Sequence, residues 1–317
     1  HSTFDIQPYI SAYTAGVLSK TSSIQVVFAR DVAPEGSIGQ SADKGLLKLS
    51  PKVKGTLLWT NARTLEFTPA EGLESNQLYE VHVALEDLFE NLPKEASEFV
   101  YSFQTIRQRA SFSDLYIHLE GNGSQRARAT LRGELSFADV VSLDEVKQGL
   151  SLKQGSAPVT LEVEQGTTER DFRILSAPLS SEDNCVLSFD GKHLDIDRNL
   201  EEEVTYPAAN PFLPYASSVR EDEQQFVRLF FSQPLDPSQD FRGMVYGEDL
   251  RDVRVKIDGN VMDVYFGNHL EGEFTLNLAE GIRAVGGDRL RGVRSFNVEF
   301  TGNKPALQFL QTGTILP

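Results

Sequence analysis

Residues 23–28, SIQVVF, place Ile24, Val26 and Phe28 at alternate positions, and the fold of the whole chain can be argued outward from this stretch. A period of two predicts a β-strand with one buried face and one face in water. The strands implied in this way are short and are separated by Gly, Pro, Asn and Asp, which is typical of an all-β sandwich or barrel. Similar alternation occurs at residues 4–10, 65–67, 79–83 and 99–103.

The same stretch has two later counterparts, ATLRGEL at residues 129–135 and FVRLFF at residues 226–231. Equivalent positions 28, 135 and 231 are therefore separated by 135 − 28 = 107 and 231 − 135 = 96 residues. Such spacing predicts tandem sandwiches of about 100 residues each. A second pair of strands also repeats, at residues 63–67 and 78–83 and again at 263–266 and 272–278, with a more divergent middle copy at 185–189.

We therefore predict three domains, at residues 1–108, 109–209 and 210–317, with the last running into the start of a further domain. The second boundary contains TYPAANP, a proline-punctuated stretch that is typical of an extended linker. One large mixed-β domain with accidental internal similarity is the alternative.

The balance of charges restricts the partners of the chain. Its 317 residues carry 30 Lys and Arg against 46 Asp and Glu, a formal net charge of −16. A phosphate backbone requires clustered cations, so we expect no nucleic acid partner, and an anionic membrane surface is equally disfavoured. No apolar run is long enough to span a bilayer. The sequence opens at His1 without a signal segment, so we expect it to start inside a larger product.

The single cysteine, Cys185, excludes an intramolecular disulfide framework and a multi-cysteine zinc site. It lies in the apolar run CVLSF, where a small buried residue is expected rather than a reactive thiol. The one Trp, Trp59, is expected to pack in a core or at a domain seam. One short helix is predicted at Ser142, because Ser142 and Glu145 have the spacing of a capping box and Gly149 can end the helix after about two turns.

No catalytic, cofactor or metal site is predicted. The five histidines, at positions 1, 82, 118, 193 and 269, do not form an HExxH pattern, and we expect them to be surface or hydrogen-bonded residues. No nucleophile-elbow or nucleotide-binding glycine motif occurs, and residues 121–124, GNGS, are expected to form a hairpin turn. Asn122 also begins a glycosylation sequon, which matters only in a secretory host.

Residues 195–199, DIDRN, open with the spacing of a calcium loop. Leu200 stands where such a loop needs glycine, and Tyr206 stands where it needs a bidentate glutamate. The acidic residues 201–203 follow directly. A solvated acidic loop is therefore the preferred interpretation, with calcium as the alternative.

One resemblance covers essentially the whole chain. Residues 129–135, followed by Asp139 and the short helix at Glu145, resemble the N-terminal macroglobulin-type domains of bacterial alpha-2-macroglobulins. The stretches at 272–276, 281–283 and 286–287 resemble later parts of the same domains, and residues 304–309 and 313–317 resemble the family's entry strand into the next domain. Residues 65–69 and 78–79 also resemble the bacterial Ig-like modules that precede them. The fold implied is an all-β array of Ig-like and macroglobulin-type sandwiches.

The hallmark of that family is a thioester formed from Cys-x-Glu-Gln. Cys185 is followed by Val-Leu-Ser, and the Glu164–Gln165 pair has no cysteine before it. The resemblance therefore implies a non-enzymatic scaffold segment of a periplasmic protease trap, whose bait region and any thioester lie downstream.

The implied partners are host or competitor proteases, met through the full-length protein, and neighbouring macroglobulin domains. A membrane would be met only through an upstream lipid anchor. The alternative is an array of Ig-like modules in a surface protein or adhesin that binds a protein or glycan. An enzyme is a third alternative, for which the sequence shows no site.

Overall fold

The computed structural model describes residues 5–121, 127–221, 224–301 and 314–316. The first sandwich consists of seven strands and a 3₁₀ turn at Lys94–Ala96. Its strands are β1 (Ile10–Leu18), β2 (Ile24–Phe28), β3 (Leu47–Ser50), β4 (Gly55–Asn61), β5 (Thr64–Pro69), β6 (Leu78–Ala84) and β7 (Glu98–Thr105).

The second sandwich follows after a four-residue connection. It consists of β8 (Ala110–Glu120), β9 (Arg128–Phe137), helix α1 (Leu143–Gly149), β10 (Leu150–Gln154), β11 (Ala157–Val159), β12 (Leu161–Gln165), β13 (Asp171–Ser176), β14 (Cys185–Phe189), a 3₁₀ turn (Lys192–Leu194) and β15 (Leu200–Val204).

The third sandwich begins at Pro214. Its strands are β16 (Pro214–Glu221), β17 (Gln225–Phe231), β18 (Val245–Tyr246), β19 (Arg254–Asp258), β20 (Val261–Tyr265), β21 (Gly272–Leu278) and β22 (Arg294–Phe300). A short strand, β23 (Thr314–Leu316), pairs with β1. No helix of the described residues is long and apolar enough to cross a membrane.

All three sandwiches share one strand topology. One sheet has the order β1-β2-β5-β4 in the first sandwich, β8-β9-β13-β12 in the second and β16-β17-β20-β19 in the third. The facing sheets contain β3-β6-β7, β11-β10-β14-β15 and β18-β21-β22. The predicted all-β fold of tandem sandwiches is confirmed. The repeated stretches found in the sequence lie in the second strand of each copy, where Phe28, Leu135 and Phe231 are fully buried. The predicted equivalence of Leu135 is wrong by two residues, because Phe137 N–H, like Phe28 N–H and Phe231 N–H, donates to the residue just before the partner strand.

In the first sandwich, β1 contributes to both sheets. Its first half is antiparallel to β2, whereas residues Gly16–Leu18 are parallel to β7. Gly16 lies between the two halves with a φ of 91°, a conformation that other residues rarely adopt, so it lets the strand change sheets.

Each sandwich has its own hydrophobic core. The largest fully buried side chains include Trp59 in the first, Phe172 and Phe189 in the second, and Phe231 and Phe300 in the third. The prediction that Trp59 packs in a core is confirmed. A fourth, small cluster joins Tyr116 of the second sandwich to Phe230 and Val261 of the third.

The short helix is also confirmed. Helix α1 begins after Ser142, whose backbone N–H donates to Glu145 Oε2 (2.8 Å), while Glu145 N–H donates to Ser142 Oγ (3.3 Å). This reciprocal pair satisfies two backbone donors that the first turn of a helix leaves free. Partial burial alone would raise the pKa of Glu145, but hydrogen bonding to Ser142, together with Lys20, lowers it overall.

The alternation at residues 4–10 led to a wrong strand prediction for Ile6. Residues 7–9 form a turn in which Tyr9 N–H and Ile10 N–H both donate to Ile6 C=O, at 2.9 and 3.0 Å. Pro8 lies inside this turn, and proline lacks the N–H that a strand would use. The first strand therefore begins only at Ile10, and position 4 lies outside the described residues.

Candidate functional site at the domain junctions

The histidines are separated in the structure. His82 is half-buried between Glu80 (2.8 Å) and Glu98 (3.1 Å), and His193 bonds through Nε2 to the backbone oxygen of Glu145 (2.8 Å). His269 is exposed, and His1 lies outside the described residues. Within the described residues no three His, Cys, Asp or Glu side chains are grouped so as to hold a metal ion.

Cys185 lies fully buried in β14, in the core of the second sandwich, as predicted. Burial raises the pKa of its thiol to about 11, which keeps the group in the unreactive thiol form near neutral pH.

The calcium-loop residues have other roles. Asp195 ends the second 3₁₀ turn with a φ of 58°, and Asp197 Oδ2 accepts from Arg107 Nη2 at 2.8 Å. This ion pair spans from the second sandwich to the connection after the first. The predicted hairpin turn and sequon at residues 122–124 lie outside the described residues.

The first junction is centred on Asp139, which follows β9 and is only 3% exposed. One carboxylate oxygen accepts from Ser19 Oγ (2.5 Å) and from Val140 N–H (2.8 Å); the other accepts from Lys20 N–H (2.8 Å). Ser19 and Lys20 belong to the turn after β1, so the bonds cross from the second sandwich to the first. A buried carboxylate with several donors is held firmly, because separating the partners would leave a charge poorly solvated.

Gln108, in the connection between the two sandwiches, holds the backbone of Asp139. Its Oε1 accepts from Asp139 N–H (3.0 Å), and its Nε2 donates to Asp139 C=O (3.2 Å). Gln108 N–H in turn donates to Ser75 Oγ in the first sandwich (2.9 Å). The connection is therefore part of the junction and is bonded on both sides.

The second junction is centred on Asn260, which is fully buried. Leu119 N–H donates to Asn260 Oδ1 (2.8 Å), and Asn260 Nδ2 donates to the carbonyls of Ile117 (3.1 Å) and Phe231 (2.9 Å). Two of these bonds reach β8 of the second sandwich, and the third stays within the third sandwich. The Asn260 amide thus links the backbones of two sandwiches.

Gly259 allows the turn that carries Asn260 to approach β8. It is the first residue of the two-residue loop between β19 and β20, and its φ is 60°. Glycine at this position is the requirement of a II′-type hairpin turn. A Cβ atom at Gly259 would also collide with Leu119 C=O and with the ring of His118.

His118 is a second buried polar side chain at this junction. It is 1% exposed, and its Nε2 lies 3.0 Å from Asp258 Oδ1 and 3.1 Å from Asp258 C=O. Burial lowers the pKa of His118, as does Arg132, while Asp258 opposes both. Burial alone would raise the pKa of Asp258, but His118 and Arg132, which donates to Asp258 Oδ2 (2.9 Å), lower it overall.

Two arginines add ion pairs at the same junction, where Tyr116, Phe230 and Val261 form a hydrophobic cluster. Arg220 of the third sandwich lies 3.1 Å from Asp114 and 2.9 Å from Glu134, both in the second. Arg228 donates to both oxygens of Asp263, at 2.7 and 2.8 Å, and lies 3.7 Å from Asp114. Hydrogen bonding to Asp263 raises the pKa of Arg228, so this guanidinium stays charged.

Sequence reasoning did not identify the junction residues. Asn260 lies in the stretch Asp-Gly-Asn, which signals a hairpin turn and nothing about a second domain. Asp139 lies two residues after its strand, where the first copy has the exposed Arg30, so the internal repeat gave no signal for it. The only available signal was the expectation that buried histidines are hydrogen-bonded, which His118 fulfils.

Residues 6–105 match the family model of a bacterial Ig-like domain. The match covers strands β1–β7, the whole first sandwich, and agrees with the predicted resemblance of this copy to bacterial Ig-like modules. No curated protein matches the chain. No comparison points to the alpha-2-macroglobulin family, so that part of the interpretation stays a prediction.

The matches among solved structures are distant. Mouse nectin-like molecule 4, full ectodomain Ig1–Ig3, is 8% identical, with 90% of this chain and 96% of that chain covered and a TM-score of 0.26. L,D-transpeptidase 3 of Mycobacterium tuberculosis is 8% identical, with 58% and 77% covered and a TM-score of 0.22. A marsupial T cell receptor is 10% identical, with 92% and 99% covered and a TM-score of 0.23. Similarities this weak carry no argument about function.

Proposed function

We propose that the chain is a non-enzymatic scaffold segment that holds consecutive Ig-like sandwiches in fixed relative positions within a longer bacterial protein. The observation that carries this proposal is the burial of polar side chains between sandwiches. Asp139 and Asn260 are 3% and 0% exposed, and each bonds across a junction.

The energetics of such groups favour closed junctions. Opening the second junction in a way that leaves Leu119 N–H and the Asn260 amide without full hydration costs about 1–3 kcal/mol for each unsatisfied group. The Tyr116, Phe230 and Val261 cluster adds apolar burial at the same place. A flexible linker would instead be exposed and would lack such bonds.

A finer proposal places this scaffold in a periplasmic or cell-envelope protease trap of the alpha-2-macroglobulin type. The order of the repeated strands, Asp139 and helix α1 along the sequence supports it. In that setting the sandwiches would hold a downstream bait region, and any thioester, at a fixed distance from an upstream lipid anchor. The proteases would be captured by parts of the protein beyond this segment.

The decisive experiment uses the longer natural product that contains this segment. A trap leaves a caged protease active on a small peptide substrate and shields it from a large protein substrate. After incubation with an endopeptidase, we expect cleavage of the small peptide to persist and cleavage of the large protein to be lost. We expect no turnover by the 317-residue chain alone. Equal inhibition of both substrates, or no inhibition of either, would remove the trap proposal and leave the scaffold proposal standing.

The match of residues 6–105 to a bacterial Ig-like domain supports a second candidate, a module array in a surface protein or adhesin. That candidate predicts a specific protein or glycan ligand for the isolated chain. A glycan array and surface binding measurements with the whole chain would distinguish the two.

A further inference from the structure

The first sandwich has an open cleft at the end of its two sheets. Strands β3 and β4 are the outermost strands of the order β3-β6-β7-β1-β2-β5-β4. Within the described residues no strand pairs with the outer side of either, and that side of β4 carries only isolated bridges from Ile38 and Ser41. A cavity of about 870 Å³ lies beside them. Its apolar lining includes Leu47, Leu49, Val53, Leu57 and Phe67.

The rim of this cleft is basic. Four of the eleven lysines of the chain, Lys44, Lys48, Lys52 and Lys54, line it, and all four are exposed. None of them forms an ion pair with a described residue, and the cleft lining contains no Asp or Glu. In a chain with a net charge of −16, such a local excess of positive charge is unusual and favours an acidic partner.

The C-terminal half of β4, at residues 57–59, already forms backbone hydrogen bonds with another part of the chain. Residues 38–42 pass beside it in a turn, with Gly39 N–H donating to Trp59 C=O and Ala42 N–H donating to Leu57 C=O, both at 2.8 Å. The N-terminal half of β4, at Gly55 and Thr56, forms no such bonds on its outer side within the described residues. The cavity continues from this point towards β3.

Strand β3 offers the matching backbone groups. Ala84 N–H donates to Leu46 C=O, and β3 pairs with β6 in antiparallel register. Because hydrogen-bonded and non-hydrogen-bonded residues alternate in such a ladder, the amide groups of Leu47 and Leu49 point away from β6. The side chains of these two leucines line the cavity, whereas Lys48 between them is exposed.

We propose that the cleft between β3 and β4 binds an extended strand of a partner polypeptide in which apolar residues alternate with Asp or Glu. Backbone bonds to the edge would hold the strand. Its apolar side chains would enter the cavity, and its carboxylates would meet the four lysines. This inference is independent of the scaffold proposal, because it concerns one sandwich and no junction.

Lysines on an edge strand can also serve to keep other strands away. The two roles make opposite predictions for an acidic strand. The probes are therefore an alternating glutamate–valine peptide of about seven residues, a common strand length, and its lysine–valine counterpart. Binding of each to the full 317-residue chain is measured by calorimetry, with amide chemical shifts followed at Leu47, Leu49 and Leu57.

We expect the glutamate–valine peptide to bind with shifts at these leucines. Replacing Lys44, Lys48, Lys52 and Lys54 by Gln should weaken it about tenfold, since each rim pair contributes a few tenths of a kcal/mol. The control variant replaces Lys147, Lys153, Lys192 and Lys256, four exposed lysines elsewhere, and changes the net charge equally. It should leave the affinity unchanged within about twofold.

Four outcomes would overturn the proposal. Equal or better binding of the lysine–valine peptide would assign the lysines to edge protection. Equal weakening by both four-lysine variants would show that the affinity depends on the net charge of the chain and not on the cleft. Displacement of the peptide by dodecanoate, with the same shifts, would assign the cleft to a small anionic amphiphile, and self-association of the chain through these leucines would assign it to a second copy.

Discussion

Replacing Asn260 by Ala tests whether the second junction couples the second and third sandwiches. The change removes the acceptor of Leu119 N–H and the donors to Ile117 C=O and Phe231 C=O. The fully buried position of Asn260 gives water little access to replace these bonds. One unsatisfied N–H and two weakened carbonyls correspond to a loss of about 2–4 kcal/mol in the free energy of unfolding.

The chain contains two native probes that make the effect assignable to particular sandwiches. Its one Trp, Trp59, lies in the first core, and its one cysteine, Cys185, lies in the second. Urea unfolding is followed by Trp59 fluorescence, by Cys185 reaction with a thiol reagent and by circular dichroism. We expect the cysteine transition and the main circular-dichroism transition to move to lower urea, while the Trp59 transition stays in place.

The matched control is Asn268→Ala. Asn268 also bonds to backbone groups, Arg251 N–H (3.2 Å) and Asp249 C=O (3.3 Å), but it does so in a loop of the third sandwich that reaches no other sandwich. Its loss should cost about 0.5 kcal/mol or less. An Asn260→Ala variant that unfolds like wild type, or no earlier than Asn268→Ala, would refute the coupling. A Trp59 transition that moves equally would show that the effect is not confined to this junction.

Three further predictions concern single positions. Phe28→Ala, whose ring lies 5.8 Å from that of Trp59, should destabilise the first sandwich by about 3–5 kcal/mol in the Trp fluorescence transition, and a neutral result would place Phe28 outside the core. Ser142→Ala should cost about 1 kcal/mol by loss of the helix cap, against no measurable loss for the exposed Ser151→Ala; equal losses would contradict a capping role. Because burial lowers the folded-state pKa of His118 below 6.5, the unfolded chain binds the proton more readily, so stability should fall as the pH drops below 6.5. His118→Gln should flatten that dependence in urea titrations at several pH values, and a wild-type profile that is already flat would exclude this assignment.

The sandwich fold could be predicted from the sequence because each strand has its own alternation of apolar and polar residues. In β2 and β6, alternate side chains enter the core, so the burial pattern and the hydrophobic pattern coincide. The same argument failed at Ile6, where the apolar spacing was right but the turn at Pro8 used the backbone differently. Periodicity reports which side chains are apolar, whereas hydrogen bonding decides whether the backbone is extended.

The junctions could not be predicted in the same way, because their residues acquire meaning only from a second domain. Asp258, Gly259 and Asn260 form an ordinary hairpin turn in sequence, and the contact with β8 gives the buried Asn260 its role. The charge pattern also gave no indication of the role of Asp114. This residue lies in a β-bulge of β8 and forms an ion pair with Arg220 of the third sandwich. Contacts between residues more than 100 positions apart leave no periodic signal in one chain.

The two junctions are built differently although the sandwiches share one topology. At the first, the segment after β9 of the second sandwich bonds to the turn after β1 of the first. At the second, the hairpin between β19 and β20 of the third sandwich bonds to β8 of the second. Because different elements meet, one repeated rotation cannot relate all three sandwiches. The position two residues after the second strand illustrates the point, since it holds the exposed Arg30 in the first copy and the buried Asp139 in the second. Topologically equivalent positions therefore contact a neighbouring sandwich in one copy and not in the other. The internal repeat predicts the fold of each sandwich but not how each one is joined to the next.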